Sequence, residues 1–223
     1  MKLVSIYEHM EKGAEKVPND TNCKIIFRHS IRHRIDLNDI RATELTNEGI
    51  ELAKSFGRGI GCKIGFVGSS TCTRNIQTCE EIFNGCGYVL PINHARNELE
   101  LPQVNNKELS NKTFKEYNFE NTRIIYALKN NGLPGFNSLE KASKIMFDYM
   151  FSNGNKENTV DLFCTHDFQM AILYAHLFDF GKTKDDFAKY KWPMMLEGMI
   201  TWGTKSHFWC SWRGEIKEFV DMF

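Results

Sequence analysis

Three short apolar runs, each ending on a group of polar residues, constrain the fold of this chain more than any other feature of its sequence. They lie at residues 24–27, 64–68 and 158–164. Runs of this length, bounded by turn-forming or charged residues, are typical of strands that are buried on both faces of a sheet. A helical pattern of apolar residues comes after each run. Strands that alternate with helices in this way predict an α/β domain built on a parallel sheet.

The remaining elements are consistent with this class of fold. Thr46 is a candidate N-cap for a helix whose apolar residues recur at helical spacing up to Ile60. We also expect helices over residues 1–16, 71–83, 112–130 and 138–151, a strand near 88–92, and paired strands near 195–203 and 206–212. We therefore predict a three-layer α/β sandwich, with a mostly parallel central sheet and helices on both faces. Neither a repeat nor a linker divides the chain, so a single domain over residues 1–223 is the simplest organisation.

The charges of the chain exclude several classes of partner. Its 28 Lys and Arg residues equal its 28 Asp and Glu residues, so the formal net charge is zero. A chain without a global positive field is not expected to bind nucleic acid or an anionic membrane surface. No run of 18 apolar residues predicts a membrane span, and the N-terminus lacks the apolar core of a signal peptide. Any affinity for anions must therefore come from a local cluster of arginines.

The seven cysteines indicate a cytoplasmic location. Their number is odd, and none of them forms a Cys-x-x-Cys pair. Disulfides and a zinc site are therefore not expected, and a reducing compartment fits this pattern best.

Polar side chains that suit phosphate chemistry come after each of the three predicted strands. They are Arg28, His29 and Arg32 after the first strand, Arg74 after the second, and His166 and Asp167 after the third. Because ligands of open α/β sheets bind beyond the carboxyl ends of the strands, we expect these groups to surround a single pocket. Three guanidinium groups suit a dianionic phosphate, two imidazoles can flank it, and a carboxyl can deliver a proton to a leaving oxygen.

In these segments the chain resembles the histidine phosphatase superfamily, whose fold is phosphoglycerate mutase-like. The Arg-His-Gly motif of that family corresponds to residues 28–30, its Leu-Thr-x-x-Gly helix start to 45–49, and its Ser-Ser-x-x-x-Arg-x-x-Gln-Thr segment to 69–78. The late histidine of the family corresponds to His166. The tail, with residues 192–193 and 196–198, is similar to that of small bacterial members.

The resemblance implies a role for each of these residues. His29 is the nucleophile and forms a phosphohistidine, while Arg28, Arg32 and Arg74 hold the phosphoryl oxygens. His166 donates a hydrogen bond to the same group and completes the pocket. The resemblance therefore predicts a phosphomonoesterase that acts on a small phosphorylated molecule and requires neither a metal ion nor another cofactor.

Two carboxyls fit the role of proton donor. Asp167 directly follows His166, as in the acid-phosphatase and phytase branch, where this Asp is the general acid. The mutase-like branch uses a Glu from the middle of the chain, and Glu98 is the candidate for that position. We favour Asp167, because the Arg28-x-x-x-Arg32 spacing also belongs to the branch that uses Asp.

Two other functions are compatible with part of the pattern. A mutase-like phosphotransferase is disfavoured by the His166-Asp167 pair, and a non-catalytic pseudophosphatase by the presence of the nucleophile and of all three arginines.

Ser30 stands where the family has Gly, and we expect activity to survive because this side chain is small and its hydroxyl can bond locally. His33 stands where Pro is frequent, and lies either on the surface or at the entrance of the pocket.

Overall fold

The protein is built on a mixed β-sheet, seen in a computed structural model that describes residues 1–35, 39–183, 186 and 192–223. The strands are β1 (Cys23–Arg28), β2 (Lys63–Ser69), β3 (Asn93–His94), β4 (Thr159–Thr165), β5 (Gly198–Gly203), β6 (His207–Trp212) and β7 (Glu215–Val220). The helices are α1 (Glu8–Glu15), α2 (Asn47–Gly59), α3 (Thr73–Cys86), α4 (Arg96–Leu99), α5 (Lys107–Glu116), α6 (Asn121–Asn130), α7 (Leu139–Ser152) and α8 (Asp167–Leu177).

The order of the strands is β3-β2-β4-β1-β5-β6-β7. The first four strands in this order are mutually parallel, whereas β5, β6 and β7 continue the sheet with antiparallel pairings. The three predicted apolar runs form β1, β2 and β4, and the predicted pair of late strands forms β5 and β6. The predicted α/β class is therefore confirmed.

Helices cover both faces of the sheet, because its central strands are apolar on both sides. Every residue of β1 and of β4 is buried. Ile25 and Phe27 belong to a core that they share with residues of α1, α2 and α3. Ile26, between them, points into a second core with residues of α6, α7 and α8. Successive strand residues thus fill two different cores, which explains the continuous apolar runs in the sequence.

The prediction of a strand near residues 88–92 is wrong. This segment has no strand, and β3 comprises only the next two residues, which pair with Gly68 and Ser69. Pro91 lacks the N–H that a sheet ladder requires. In addition, the hydroxyl of Tyr88 accepts a hydrogen bond from the backbone N–H of Ile64 at 2.7 Å. At this point of β2 a side chain takes the place of a backbone partner from a neighbouring strand.

Other boundaries differ from the prediction for local reasons. The first helix begins only at Glu8, because the chain before it pairs with the end of α2 through a bridge between Leu3 and Ile60. The region 112–130 contains the end of α5 and the whole of α6, which are separated where Asn118 and Phe119 adopt positive φ angles of 51° and 57°.

The strand β7 is absent from the prediction. It follows β6 through a two-residue turn at Arg213 and Gly214, whose φ angles are 48° and 85°. Positive φ at both positions is the hallmark of the hairpin turn that matches strand twist.

None of the helices in the described part of the chain has the length and apolarity that a bilayer crossing requires.

Candidate active site

The carboxyl ends of β1, β2 and β4 bring the three predicted polar segments together. β1 and β4 end at the same level, because Arg28 pairs with Thr165 in their parallel ladder. The next residue, His29, donates its backbone N–H to the carbonyl of Thr165 at 3.0 Å. Ser70, directly after β2, donates its backbone N–H to the carbonyl of Cys164, also at 3.0 Å. The segments that follow the three strands therefore begin side by side at one edge of the sheet.

The hydrogen bonds of His29 define which of its ring nitrogens carries the hydrogen. Nδ1 lies 2.8 Å from the carbonyl oxygen of Ser30, which can only accept, so the ring hydrogen belongs on Nδ1. Nε2 then keeps its lone pair, and it accepts a hydrogen bond from Nε of Arg74 at 3.2 Å. Burial and the charge of Arg74 lower the pKa of His29 to about 3. The side chain is therefore a neutral imidazole at physiological pH.

Arg74 joins the two histidines of the site. Its Nη2 atom lies 3.1 Å from Nδ1 of His166, and its Nη1 atom donates to the carbonyl of Ile40 at 2.9 Å. Because a guanidinium can only donate, Nδ1 of His166 is the acceptor, and its Nε2 hydrogen points to the hydroxyl of Ser70 at 2.9 Å. Burial, His29 and Arg74 hold the pKa of His166 well below its usual value. The two rings lie 5.5 Å apart, edge to face.

Asp167 is the carboxylate of the site and the first residue of α8. It forms an ion pair with Arg28, with 3.3 Å between Oδ2 and Nη2, and its side chain keeps 27% of its surface exposed. Burial acts to raise the pKa of Asp167, but the charge of Arg28 and a hydrogen bond from the indole of Trp192 outweigh this, so that the pKa is lowered. In the free site Asp167 is therefore ionised at neutral pH.

The other two predicted arginines border the same space. Arg28 is buried, and its Nη1 atom donates to the carbonyl of Pro193 at 2.6 Å. Its Nε atom has no hydrogen-bond partner among the described residues. Arg32 is half-buried, and its pKa is lowered by burial and by the charges of Arg74 and Arg28, which places the three guanidinium groups within electrostatic reach of one another.

Glu98 stands apart from this group. It lies on α4, where its charge adds to the effect of burial in raising the pKa of Tyr149 to about 12. No hydrogen bond joins Glu98 to the histidines or arginines of the site within the described ranges. Glu100, two residues further on, binds the segment after β2: its Oε2 atom accepts from the hydroxyl of Thr71 at 2.6 Å, and its Oε1 atom lies 3.4 Å from Arg41. Glu100 is absent from the prediction, and only its place beside Glu98 could have suggested it.

The substitution of Ser for Gly at position 30 fits the site. The Ser30 hydroxyl donates to the carbonyl of Gly49 at 2.7 Å, and its N–H donates to the hydroxyl of Thr78 at 3.1 Å. Thr46 caps α2 as predicted, accepting from the N–H of Gly49 at 3.0 Å. A Cβ atom on Gly49 would lie 1.9 Å from the carbonyl oxygen of Ile31. The glycine of the helix-start motif is thus required by the close approach of α2 to the segment after His29.

The first turns of α3 connect the other segments to one another. The side-chain amide of Asn75 donates to the carbonyl of Thr165 at 2.8 Å, and the side-chain oxygen of Gln77 accepts from the N–H of Leu45 at 2.8 Å. These residues belong to the motif at 69–78, but the sequence alone does not reveal what they bind.

Taken together, and within the described ranges, three guanidinium groups lie around the carboxylate of Asp167, beside two neutral imidazoles. This excess of positive charge, with donors in forked geometry, suits a phosphate dianion. Among the described residues, no group of three or more His, Cys, Asp or Glu side chains is arranged to hold a metal ion.

No known protein-family model matches the chain, and no curated protein sequence matches it. Several solved structures do match its fold. A mycobacterial glucosyl-3-phosphoglycerate phosphatase aligns with a TM-score of 0.53 and 12% sequence identity, over 81% of this chain and 90% of that chain. A phosphoserine phosphatase from Entamoeba histolytica and YhfR from Bacillus stearothermophilus each align with a TM-score of 0.54 and 16% identity, also over 81% of this chain and 90% of theirs.

These neighbours are members of the histidine phosphatase superfamily. Identities this low establish similarity of fold, and the chain accordingly has the phosphoglycerate mutase-like fold of that superfamily.

Proposed function

We propose that the chain is a phosphomonoesterase that forms a phosphohistidine at Nε2 of His29. The observation that carries this proposal is the state of that imidazole. Its Nδ1 hydrogen is bonded to the Ser30 carbonyl, and its Nε2 lone pair points to Arg74. A buried neutral imidazole among arginines combines a nucleophile with the charges that hold its target.

The reaction has two steps. In the first, the Nε2 lone pair forms a bond to phosphorus while the ester P–O bond breaks, and the carboxyl of Asp167 gives its proton to the leaving oxygen. In the second, a water molecule attacks phosphorus, the P–N bond breaks, and the Asp167 carboxylate takes the proton of the water. Arg28, Arg32 and Arg74 neutralise the phosphoryl oxygens in both steps, and His166 lies beside them.

The resting charge of Asp167 predicts how this activity depends on pH. In the free site the pKa of Asp167 is lowered, so the acid is deprotonated at neutral pH. A bound phosphate dianion counteracts the arginine charges and raises that pKa, since a nearby negative charge disfavours the carboxylate. We therefore expect kcat/KM for esters with poor leaving groups to increase as the pH falls below neutral.

The substrate we propose is a small phosphorylated molecule. Two structural neighbours support this class, one named as a phosphatase of glucosyl-3-phosphoglycerate and the other as a phosphoserine phosphatase in complex with 3-phosphoglyceric acid. Independence of metal ions and a cytoplasmic location are part of the same proposal.

The deciding experiment is hydrolysis of p-nitrophenyl phosphate in the presence of EDTA, by the wild type and by His29→Ala. Loss of the nucleophile should lower turnover by at least about a thousandfold. The matched control is His207→Ala, because His207 is exposed on β6. Brief incubation with labelled substrate followed by denaturation should trap an acid-labile phosphoenzyme only where His29 is present.

Three outcomes would overturn this function. Retention of more than a few per cent of activity by His29→Ala would exclude His29 as the nucleophile. Binding of inorganic phosphate by a wild type that shows no turnover of any ester would instead support the non-catalytic alternative. Transfer of the phosphoryl group to a second hydroxyl in preference to water would support the mutase-like alternative.

The proton donor is tested separately by comparing Asp167→Asn with Glu98→Gln. If Asp167 is the acid, its replacement should slow alkyl phosphates by about a hundredfold or more and p-nitrophenyl phosphate far less, because only poor leaving groups need the proton. Glu98→Gln should leave both unchanged. The reverse pattern would assign the role to Glu98.

A further inference from the structure

A short segment before β5, residues 193–197, binds the first arginine of the candidate active site. The Nη1 atom of Arg28 donates to the carbonyl of Pro193 at 2.6 Å. The backbone of Arg28 donates to the carbonyl of Glu197 at 3.1 Å and accepts from the N–H of Leu196 at 3.0 Å. The segment therefore holds Arg28 both by its main chain and by its guanidinium group.

A buried carboxylate binds the other side of the same peptide group. Glu197 is 1% exposed, and its two oxygens accept from the guanidinium of Arg213 at 2.6 and 2.8 Å. One of these oxygens also accepts from the N–H of Met194 at 2.8 Å. That N–H belongs to the peptide group whose carbonyl, from Pro193, accepts from Arg28. This planar and rigid peptide group therefore links the Glu197 carboxylate to the Arg28 guanidinium.

The backbone at Leu196 shows that the conformation of the segment is imposed by its contacts. Its φ angle is 58°, in the left-handed region that large side chains rarely adopt. Strain of this kind persists only where the surrounding structure determines the backbone. Here the Leu196 N–H is bound to Arg28, and the next residue, Glu197, is bound to Arg213. The strained turn is thus maintained together with the contacts of Arg28.

The guanidinium of Arg28 has two nitrogen atoms bound and one left over. Nη1 is bound to Pro193, and Nη2 lies 3.3 Å from Oδ2 of Asp167. The Nε atom is buried and has no hydrogen-bond partner among the described residues. Because a guanidinium is planar and rigid, fixing Nη1 and Nη2 also fixes the direction of the Nε hydrogen. The donor that remains for a ligand is therefore held in one orientation.

The charge of Glu197 strengthens this link near neutral pH. Burial acts to raise the pKa of Glu197, but hydrogen bonds from Arg213, His9 and the Met194 N–H lower it to about 2. Its carboxylate is therefore ionised, and a hydrogen bond to an ionised acceptor is stronger than one between neutral groups. Hydrogen bonds in a chain polarise one another, so the carbonyl of Pro193 becomes a better acceptor for Arg28.

We propose that Glu197 is a positioning residue, which acts through the Pro193–Met194 peptide group to orient Arg28 so that its Nε hydrogen meets an oxygen of the bound phosphate group. This inference rests on the proposed function, in which Arg28 holds the phosphoryl oxygens. Glu197 acts at a distance, because its own oxygens are buried and bound to Arg213 and to the Met194 N–H. Its replacement should therefore weaken phosphate binding through Arg28.

The first test is the affinity for inorganic phosphate, measured by calorimetry at pH 7 on the wild type and on Glu197→Gln. The substitution keeps the size of the side chain and removes its charge. We expect the dissociation constant to rise about tenfold, the effect of losing one hydrogen bond to a charged group. If Glu197→Gln does not fold, Arg213→Lys replaces it. Lys keeps the positive charge but not the fork that binds both oxygens, so a smaller rise in the same direction is expected.

A matched control is Asp161→Asn. Asp161 is likewise a buried carboxylate in an ion pair, with Lys24, but it lies on β4 near the amino end of the sheet. This substitution should destabilise the fold and leave the phosphate affinity of the folded protein unchanged. An equal loss of affinity in Asp161→Asn and Glu197→Gln would show a general effect of stability and overturn the role of Glu197.

A double-mutant cycle tests whether Glu197 acts through Arg28. In an Arg28→Met background, Glu197→Gln should cause no further loss of phosphate affinity, because the group that it positions is absent. The same loss in both backgrounds would overturn the proposal.

A spectroscopic measurement without turnover separates this inference from the proposed function. The Nε–H resonance of Arg28, assigned by its absence from Arg28→Lys, should shift when phosphate is added to the wild type. In Glu197→Gln the midpoint of this titration should lie about tenfold higher. A resonance that does not respond to phosphate, or equal midpoints in the two proteins, would overturn the inference. If the resonance responds as expected but no ester is hydrolysed, the proposed function fails and the positioning by Glu197 stands.

Discussion

Buried charges are paired differently at the two ends of the parallel sheet. At the amino end, Lys24 of β1 and Asp161 of β4 are neighbours in the ladder and form an ion pair of 2.9 Å, with side chains 2% and 0% exposed. At the carboxyl end of the same two strands, Arg28 and Arg74 are also buried, with Arg32 half-buried beside them. Among the described residues, Asp167 forms an ion pair with Arg28, and the buried Glu197 adds a second negative charge within electrostatic reach of that arginine. The first arrangement is balanced within the protein, whereas the second has an excess of positive charge that an anion would neutralise.

This difference indicates that the buried charges at the amino end stabilise the fold, whereas those at the carboxyl end are suited to binding an anion. At the amino end, Oδ2 of Asp161 also accepts hydrogen bonds from Asn22 at 2.9 Å and from the N–H of Asn155 at 3.0 Å, whereas its Oδ1 atom is buried without a partner in the described part of the chain. The carboxyl end leaves the Nε atom of Arg28 without a protein partner in the described ranges. Substitutions at the two ends should therefore affect different quantities, the free energy of unfolding at one and transition-state binding at the other.

The largest effect is expected at the amino end. Lys24→Met leaves the Asp161 carboxylate buried without its cation, so the free energy of unfolding should fall by about 3–5 kcal/mol. Chemical denaturation measures this change, and kcat/KM of the molecules that remain folded should stay the same. The double variant Lys24→Met, Asp161→Asn is the control: it removes both charges and should regain most of the loss. A double variant as unstable as the single one would show that packing, and not charge, dominates at this end.

At the carboxyl end we expect the reverse. Arg74→Gln should lower kcat/KM for p-nitrophenyl phosphate by a hundredfold to a thousandfold, or about 2.7–4 kcal/mol, the effect of removing one donor from a transition-state site. Its melting temperature should equal or exceed that of the wild type without ligand, because repulsion among the arginines is relieved. Inorganic phosphate should stabilise the wild type by about 1–3 kcal/mol and the variant much less. A variant that loses stability as well as activity would contradict the separation of the two ends.

A smaller effect concerns the histidines at the carboxyl end. Their pKa values are lower in the folded protein than in the unfolded chain, so the unfolded chain binds more protons as the pH falls. The stabilisation from this difference is complete above about pH 6.5 and is lost as the pH falls towards the folded-state pKa values. Between pH 6.5 and 5, the slope of unfolding free energy against pH should approach about 1.4 kcal/mol per unit for each histidine. His29→Asn and His166→Asn should each reduce that slope, and His94→Asn, at an exposed position, should not.

Features of the fold and site that depend on local sequence patterns could be predicted, whereas those that depend on contacts between residues distant in sequence could not. The strands β1, β2 and β4 were predictable because they are buried on both faces and read as short apolar runs, and the polar residues after them had to meet at one edge. The strand β7 was not, because exposed residues such as Ile216 and Val220 alternate with less exposed ones at the rim of the sheet. Trp192 and Glu197 lie in the tail segments that carry part of the resemblance, but no role could be predicted for them because their partners are far away in sequence. The same distance explains why the contacts of Glu100 with Thr71 and Arg41 could not be predicted.

Some sequence predictions failed for local reasons. The apolar residues at 88–92 suggested a strand, but they do not reveal that Pro91 and the Tyr88 hydroxyl interrupt the ladder. The preference for Asp167 over Glu98 depended on adjacency to His166, and the structure brings Asp167, but not Glu98, into contact with Arg28. The roles of both carboxyls stay predictions until the substitutions are made.

One feature of β1 bears on how the site responds to heat and denaturant. The amide hydrogens of Arg28 and His29 are both bonded between strands, to the carbonyls of Glu197 and Thr165. Amides in the centre of a sheet exchange with solvent only when the whole cooperative unit opens, whereas amides of loops exchange through local fluctuations. His29, the proposed nucleophile, and Arg28 thus belong to the slow-exchanging part of the protein, and we expect any activity to disappear together with the fold in a single transition, without an earlier stage of local loosening.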